Sequence, residues 1–426
     1  MNPARLQRLL YLSLAATLVA AAGCSSSGSA TTPPGGGGSG PTTGNVQAFT
    51  VNTGPAAAPP LNSPYVNGAF TSVTVCVPGS TTSCQTVGGI LVDTGSSGLR
   101  ILSSALTISP TQQTGANGAD IAECLPFVDG FTWGPVQMVD MTIAGEQAKS
   151  LPIQVIGSSS FSNIPTSCSS MGMDTPENDL SSLGANGILG IGSFPQDCGG
   201  GCTENGTNNP GLYYACPTGA NATCEVTTVS ISNQLQNPIV LFPTDNNGVI
   251  MQLDSVSGAQ ASVSGSLIFG IGTQTNNGLG SATVYALDPG LGNFTTTFNG
   301  TTYSDEAFLD TGSNAIYFLD ANTTNIPVCT DATFWYCPTA TQNLTATNQA
   351  FGGGASGPVD FTVGNADTLT ANGNDAAING LAGPSNSTPT FKFAFDWGMP
   401  FFYGRKVYTS IEGQNTPAGT GPYVAY

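Results

Sequence analysis

Histidine is absent from this 426-residue chain, and basic residues are scarce. A serine or cysteine nucleophile usually needs a neighbouring imidazole, and most catalytic zinc sites include His ligands. The absence of His therefore argues against both chemistries and leaves carboxyl groups for proton transfer near neutral or acidic pH. Seven Lys and Arg stand against 25 Asp and Glu, a formal charge of −18. Because that charge repels phosphate backbones and anionic membranes, we expect no nucleic-acid partner.

Charged side chains make up only 8% of the sequence, whereas the chain holds 56 Gly and 29 Pro. Together with abundant Ser and Thr, this composition is typical of short strands joined by many turns and predicts a mostly β protein. A chain of this length exceeds one small domain. It predicts one large double-lobed unit or two domains, either of which could bury a large core.

The N-terminus has the pattern of an export signal. Arg5 and Arg8 precede the apolar run LLYLSLAATLVAAAG, which ends at Cys24 and is too short to cross a membrane comfortably. The ending AAGC resembles a bacterial lipoprotein signal, which implies that Cys24 is lipidated; Ser25 after it favours the outer membrane. The alternative is an ordinary signal peptide. We predict a signal peptide at 1–23 and a lipid-anchored Gly/Ser/Pro tether at 24–45.

With Cys24 set aside, ten of the 11 cysteines remain, an even number that predicts up to five disulfides in an exported chain. The first two and the last two each bracket a short turn-rich segment, which suits a hairpin or loop staple. The four from 198 to 224 crowd a Gly/Asn-rich insertion, where a zinc site is the alternative, and the remaining two would pair with one another. The sequence leaves the connectivity open. In chain order the ten are Cys76, Cys84, Cys124, Cys168, Cys198, Cys202, Cys216, Cys224, Cys329 and Cys337.

One short phrase occurs twice, as ILVDTGSSGLR at 90–100 and as FLDTGSNAIYF at 308–318. In each copy an apolar run predicts the end of a buried strand, and the Asp that follows opens a tight turn that would hold its carboxylate rigidly. A single copy would be an ordinary turn, but two copies with matching approaches indicate two related halves. The candidate catalytic pair is Asp93 and Asp310. The supporting residues, small or hydroxyl-bearing, are Thr94, Gly95, Ser96, Thr311, Gly312 and Ser313.

These two loops resemble those of pepsin-like aspartic peptidases, and the resemblance covers roughly residues 60–426. Residues 65–98 resemble that family's opening hairpin, residues 127–156 its flap hairpin and following strand, and ANGILGIG at 185–192 the segment that crosses behind the first Asp loop. FAFDWGMPFFYGRKVYTSIEG resembles the matching segment of the second half. Two further segments are similar in sequence to an uncharacterised bacterial lipoprotein branch of this fold: DGFTWGPV and GMPFFYGRKVYT.

The resemblance implies a bilobal fold of two pseudo-twofold-related β-lobes, at 46–243 and 244–426, with Asp93 and Asp310 facing each other in a central cleft. Two adjacent carboxyls share one proton, so the pair would supply an acid and a base that activate water against a peptide bond. No metal or cofactor is implied. The flap usually carries a Tyr, but this hairpin has Phe131 and Trp133. Either they cover the cleft or they pack in the core.

Two functional hypotheses follow. The first is an acid-favoured aspartic endopeptidase acting on peptides or proteins, monomeric, and held through its N-terminal lipid at the outer membrane on the periplasmic or cell-surface face. The second is a catalytically silent lipoprotein of the same fold whose cleft binds peptide or glycan. The missing flap Tyr favours the second, and the intact Asp-Thr-Gly-Ser in both halves favours the first.

Overall fold

The computed structural model describes residues 44–55, 65–115, 118–171, 175–217, 223–385 and 393–426. The expected signal peptide, Cys24 and the tether up to residue 43 lie outside these residues. Within the described residues, no helix is long and apolar enough to span a bilayer.

Strands dominate the chain, as its composition predicts. Those of the first half are Val46–Asn52 (β1), Gly68–Cys76 (β2), Cys84–Asp93 (β3), Ser97–Leu102 (β4), Thr111–Gln112 (β5), Asp120–Pro126 (β6), Phe131–Ile143 (β7), Glu146–Ile156 (β8), Gly187–Ile191 (β9), Tyr213–Cys216 (β10) and Glu225–Val226 (β11). Those of the second half are Gly248–Leu253 (β12), Ala259–Gln260 (β13), Val263–Phe269 (β14), Val284–Ala286 (β15), Phe294–Phe298 (β16), Thr301–Leu309 (β17), Ile316–Phe318 (β18), Gln342–Gln349 (β19), Ser356–Val363 (β20), Ala377–Ile378 (β21), Ala382–Gly383 (β22), Phe395–Trp397 (β23), Lys406–Ser410 (β24), Asn415–Thr416 (β25), Gly419–Thr420 (β26) and Tyr423–Ala425 (β27).

The helices among the described residues are short, about one turn each. The α-helices are Thr166–Ser169 (α1), Leu180–Leu183 (α2), Ala321–Thr324 (α3), Ala366–Leu369 (α4) and Met399–Phe402 (α5). The 3₁₀ turns are Ser103–Ala105, Ser159–Phe161, Gly199–Thr203, Gly206–Asn208, Ile231–Asn233 and Pro238–Leu241.

A 16-stranded sheet carries the first half of the chain and joins it to the second. Its order is β11-β10-β6-β7-β8-β4-β9-β3-β2-β1-β14-β12-β24-β27-β15, with β5 beside β7. The junction lies at β1, which pairs antiparallel with β2 on one side and with β14 of the second half on the other. The two halves are therefore hydrogen-bonded through one continuous set of strands.

The second half builds its own seven-stranded sheet, in the order β20-β19-β16-β17-β23-β18-β22. This sheet repeats a local arrangement of the first. The strand leading to the first Asp, β3, runs parallel to β9, and β4 pairs antiparallel with β9. In the same way β17 runs parallel to β23, and β18 pairs antiparallel with β23. The mostly β, bilobal pepsin-like architecture expected from the sequence is confirmed by this duplicated pattern.

The strands that approach the two Asp loops are built from continuous apolar residues because they are covered on both faces. Ile90, Leu91 and Val92 are fully buried ahead of the first loop, and Leu309 is buried ahead of the second. A large cluster of apolar side chains runs from β1, β2 and β3 across to β17, β18 and β23. The core therefore fixes both loops against one another.

Five disulfides join all ten cysteines that the sequence assigned to this framework. The pairs are Cys76–Cys84, Cys124–Cys168, Cys198–Cys202, Cys216–Cys224 and Cys329–Cys337. The four cysteines of the insertion are thus disulfide-bonded, which contradicts the zinc alternative. Because disulfides persist in oxidising compartments, this framework is typical of an extracellular or periplasmic protein.

The Gly/Asn-rich insertion packs on the hairpin formed by β6 and β7. Its strand β10 pairs antiparallel with β6. Tyr213 and Leu235 are fully buried against Ile121 and Val136 of that hairpin. The insertion has no core of its own, as its composition predicts, and it takes one from the hairpin beside it.

Candidate active site

The two Asp-Thr-Gly-Ser loops meet where the lobes join, and they bring the carboxyl groups of Asp93 and Asp310 into hydrogen-bonding contact. Both side chains are nearly buried, with relative exposures of 6% and 3%. Glycine is required in both loops. A Cβ at Gly95 would lie 2.7 Å from Cγ of Asp310, and one at Gly312 would lie 2.8 Å from Oδ1 of Asp93. No side chain larger than hydrogen fits at either position.

The two threonines lock the loops together across the pseudo-twofold axis. The backbone N–H of Thr94 donates to Oγ1 of Thr311 at 3.1 Å, and the N–H of Thr311 donates to Oγ1 of Thr94 at 3.0 Å. The Thr311 hydroxyl then donates to the carbonyl of Val92 at 2.9 Å, inside the opposite lobe. This reciprocal pair is buried, so it holds the carboxyl groups at a fixed separation.

Each carboxylate is oriented by its own loop. The N–H of Gly95 donates to Oδ1 of Asp93 at 2.8 Å, and the Ser96 hydroxyl donates to Oδ2 at 2.6 Å. In the second loop the N–H of Gly312 donates to Oδ1 of Asp310 at 2.7 Å. Burial, and then the charge of Asp310, raise the pKa of Asp93 to about 6, while the Ser96 hydroxyl acts in the opposite direction. The pair therefore holds a proton in weak acid that an exposed Asp would already have lost.

A third carboxyl group, that of Asp396 on β23, lies behind the second loop. The Ser313 hydroxyl is 2.8 Å from Oδ2 of Asp310 and 2.6 Å from Oδ2 of Asp396. A hydroxyl has one proton, so it cannot donate to both acids, and one carboxyl must be protonated and donate to it. Asp396 is fully buried, and burial followed by the charge of Asp310 raises its pKa well above the usual range. Asp396 is thus the protonated partner.

The first lobe has no counterpart of this third acid. In the second lobe Asp396 lies opposite Phe308, two residues before Asp310. In the first lobe Ile188 lies opposite Leu91, two residues before Asp93. The sequence did not single out Asp396, because an Asp in FDWG has the appearance of an ordinary residue at a strand end.

A cleft of about 420 Å³ opens over the two carboxyl groups. Its walls come from both lobes and are mainly apolar around the acids. The first lobe contributes Leu125, Pro126, Phe127, Asp129, Phe194 and Asp197, and the second contributes Leu287, Leu291, Phe308 and Phe393. Ligand-binding clefts commonly have a volume in this range and mainly apolar walls with a few polar groups.

The hairpin of β6 and β7 overhangs the cleft, and its tip is closed by a bond from the N–H of Phe127 to the carbonyl of Gly130 at 2.7 Å. Phe131 and Trp133, the expected flap aromatics, do not line the cleft. Both are 1% exposed and pack beside the Cys124–Cys168 disulfide. The indole N–H of Trp133 donates to the carbonyl of Phe161 at 2.7 Å. The structure therefore places these rings in the core, which was the alternative interpretation.

Arg100 lies seven residues after Asp93 and is fully buried. Its Nη2 donates to Oε1 of Glu123 at 2.7 Å and to Oδ2 of Asp197 at 3.2 Å. Its Nη1 donates to the carbonyl of Ser97 at 2.9 Å. Burial acts to lower the pKa of Arg100, but the facing carboxylates raise it above its ordinary value, so the guanidinium stays charged. The sequence did not point to this ion pair, since its partners come from distant segments.

The chain was compared with known proteins. The family model described as "Protein of unknown function (DUF3443)" matches residues 41–426. No curated protein matches the chain. Among solved structures, an aspartic proteinase from Irpex lacteus is similar with a TM-score of 0.48 and 14% identity, over 89% of this chain and 96% of that one. A likeness at that level does not establish an activity.

Proposed function

Because the chain belongs to the DUF3443 family, whose description names no activity, we propose from the geometry of its paired carboxyls that it is an aspartic endopeptidase. One observation carries the proposal: Asp93 and Asp310 lie in hydrogen-bonding contact, each oriented by its own loop, at the floor of a cleft open to a peptide. If the loops served only the architecture of the fold, two desolvated acids in contact would cost stability without a compensating role.

The shared proton gives the pair an acid and a base at the same time. The ionised carboxylate takes a proton from a bound water as that water attacks the peptide carbonyl carbon. The protonated carboxyl donates to the carbonyl oxygen as charge develops there. The C–N bond then breaks as the leaving nitrogen takes the proton that the base received from water, while a hydroxyl of the tetrahedral intermediate returns a proton to the other carboxyl. Atoms balance with water as the only co-reactant.

The location and partners of this endopeptidase belong to the same proposal. The five disulfides support export, and the AAGC motif supports a lipid on Cys24 that would hold a monomeric protein at the outer membrane. The formal charge of −18 supports a peptide or protein substrate over nucleic acid.

A second candidate is a cleft that binds peptide or glycan without cutting it. The observation that favours it is the part of the hairpin that lines the cleft, which contributes Leu125, Pro126, Phe127 and Asp129 but no hydroxyl group. An aspartic dyad without a hydroxyl donor above it could still orient a ligand, but it would lack one hydrogen bond that stabilises the transition state.

The test compares cleavage of a mixed peptide library by residues 46–426 and by the variants Asp93→Asn and Asp310→Asn, from acid to neutral pH. Each variant should lose at least about 100-fold in kcat/KM, because an amide can act neither as the base nor as the acid. Asp331→Asn, at an exposed carboxylate, is the matched control and should leave the rate unchanged. Cleavage that survives both dyad substitutions would sink the mechanism, and peptide binding without cleavage by folded wild type would favour the second candidate.

A further inference from the structure

Three segments that border the cleft converge on the side chain of Arg100. The carbonyl of Ser97 belongs to the turn of the first catalytic loop, Glu123 lies on the first strand of the overhanging hairpin, and Asp197 follows β9 and lines the cleft. Glu123 stands only two residues before Leu125, where the hairpin begins to line the cleft. One guanidinium therefore spans the dyad loop, the hairpin and the wall between them.

The connection from Arg100 to the reacting carboxyl is short. Ser97, which accepts from Arg100, is next to Ser96, whose hydroxyl donates to Asp93 at 2.6 Å. The Ser97 hydroxyl in turn donates to the carbonyl of Phe194 in the cleft wall at 2.7 Å. A displacement of the guanidinium would therefore shift both the carboxyl group of Asp93 and the cleft wall at Phe194.

The insertion closes the network from the other side. The Tyr213 hydroxyl donates to Oδ1 of Asp197 at 2.8 Å and accepts from the N–H of Leu235 at 2.7 Å. Arg100, Glu123 and Asp197 have side-chain exposures of 0 to 2%, so water does not compete for these bonds. Nε of Arg100 and Oε2 of Glu123 are buried without a hydrogen-bond partner among the described residues, but the bonds that are made favour one geometry, which makes the network suited to positioning.

From this geometry we infer that Arg100 is a positioning residue, which with Glu123 and Asp197 holds the β6–β7 hairpin at a fixed distance above the first catalytic loop. The inference rests on the proposed endopeptidase function and specifies how the substrate is kept over the dyad. Burial outside the cleft lining keeps Arg100 itself away from the substrate.

The network also responds to pH, because two carboxyls share one cation. Asp197 lies in hydrogen-bonding contact with Glu123, and two buried acids in contact cannot both ionise cheaply. Burial, followed by the charge of Glu123, raises the pKa of Asp197 well above its usual range, overriding the opposite effect of Arg100. The groups that face Asp197 are Arg100, Glu123 and Tyr213. With one shared proton the triad of Arg100, Glu123 and Asp197 is neutral, and loss of that proton leaves an uncompensated buried charge that pushes the hairpin from the wall.

The experiment measures peptide cleavage and amide hydrogen exchange on the same preparations of wild type and variants. Arg100→Met should lower kcat/KM between about 10-fold and 100-fold, mostly through a higher KM, because the substrate is no longer held by a fixed hairpin. Amides of residues 120–137 should exchange faster. Arg405→Met, which removes a partly buried Arg that contacts Phe401 in the second lobe, is the matched control and should change neither.

A second variant separates positioning from simple stabilisation. Asp197→Asn cannot ionise, and its amide can donate to Glu123 in place of the shared proton. As pH rises through the raised pKa of Asp197, the KM of wild type should rise, whereas the KM of Asp197→Asn should stay flat. A merely structural role would lower the unfolding temperature without changing this pH dependence. If Arg100→Met does not fold, the comparison of wild type with Asp197→Asn still tests whether the network positions the hairpin.

The outcomes separate the two proposals. If wild type cleaves peptides and Arg100→Met keeps the wild-type KM and hairpin exchange, the positioning role is overturned while the endopeptidase function stands. If folded wild type cleaves nothing, the endopeptidase function fails, and hydrogen exchange alone then judges the positioning role. Faster exchange confined to residues 120–137 in Arg100→Met would support it, and unchanged exchange would overturn it.

Discussion

At the scale of single residues, the two halves of the site differ in one additional protonated carboxyl group. Ser96 orients Asp93 alone, whereas Ser313 lies between Asp310 and a third, protonated acid, Asp396. Oδ1 of Asp396 is buried and has no hydrogen-bond partner among the described residues. An ionised Asp396 would therefore be a buried charge without a cation, facing a second negative charge at Asp310.

The first prediction concerns Asp396→Asn and the pH dependence of stability. Because the folded-state pKa of Asp396 is raised, its contribution to the free energy of unfolding is fully present below the unfolded pKa near 3.8 and is lost as pH rises through the folded value. Asn does not ionise and loses nothing. Urea unfolding should show Asp396→Asn gaining stability relative to wild type as pH rises above the unfolded pKa near 3.8. A constant difference between the two proteins across that range would contradict the assignment.

At the scale of elements, the Cys124–Cys168 disulfide is the staple that matters most for the hairpin. It ties β6 to α1 across 44 residues, and both cysteines are fully buried beside Phe131 and Trp133. The Cys198–Cys202 disulfide closes only four residues within the insertion. The longer loop removes more conformational freedom from the unfolded chain.

The second prediction compares the two disulfides directly. Replacing Cys124 and Cys168 together by Ala should lower the free energy of unfolding by roughly 4 kcal/mol from chain entropy, against roughly 2 kcal/mol for the pair at 198 and 202. Urea unfolding of both double variants measures the difference. Equal losses, or a larger loss for the short loop, would show that the long disulfide does not restrain the hairpin.

Some features of these elements could be predicted from the sequence, and others could not. The strand ends and turns around Asp93 and Asp310 were predictable, because the apolar approach, the acid and the glycine are adjacent in sequence. The side-chain direction of Phe131 and Trp133 was not, since apolar residues of the hairpin are covered in two separate clusters. Phe131 and Trp133 pack with Cys168 and Tyr214, whereas Ile121 and Val136 pack with Tyr213 and Leu235. Arg100 and Asp396 acquire their roles from partners 23 and 83 residues away, and no local pattern encodes such contacts.

At the scale of the whole molecule, the balance of charge predicts a protein adapted to acid. Burial raises the pKa of Asp93, Asp197 and Asp396, whereas hydrogen bonds from Thr323 lower the pKa of the exposed Asp320. The formal charge of −18 adds self-repulsion at neutral pH. Both effects weaken as carboxyl groups take up protons.

The third prediction is that the folded protein is more stable in weak acid than at neutral pH. The raised pKa values contribute stability that is complete below about 3.8 and is lost as pH rises through about 6 for Asp93. The urea midpoint of residues 46–426 should therefore be higher at about pH 4 than at about pH 7. A midpoint that climbs with pH would show that the buried carboxyls are stabilised in their ionised form.

The pH dependence of kcat/KM for a single cleaved peptide tests the paired-carboxyl account most directly. Activity needs one protonated and one ionised carboxyl, so the profile should be bell-shaped and should fall on the alkaline side near pH 6, where Asp93 loses the shared proton. The same profile measured with Asp93→Asn should show no residual bell. Cleavage that continues undiminished through neutral pH, or a bell that survives in the Asp93→Asn protein, would contradict the claim that Asp93 and Asp310 act as one unit.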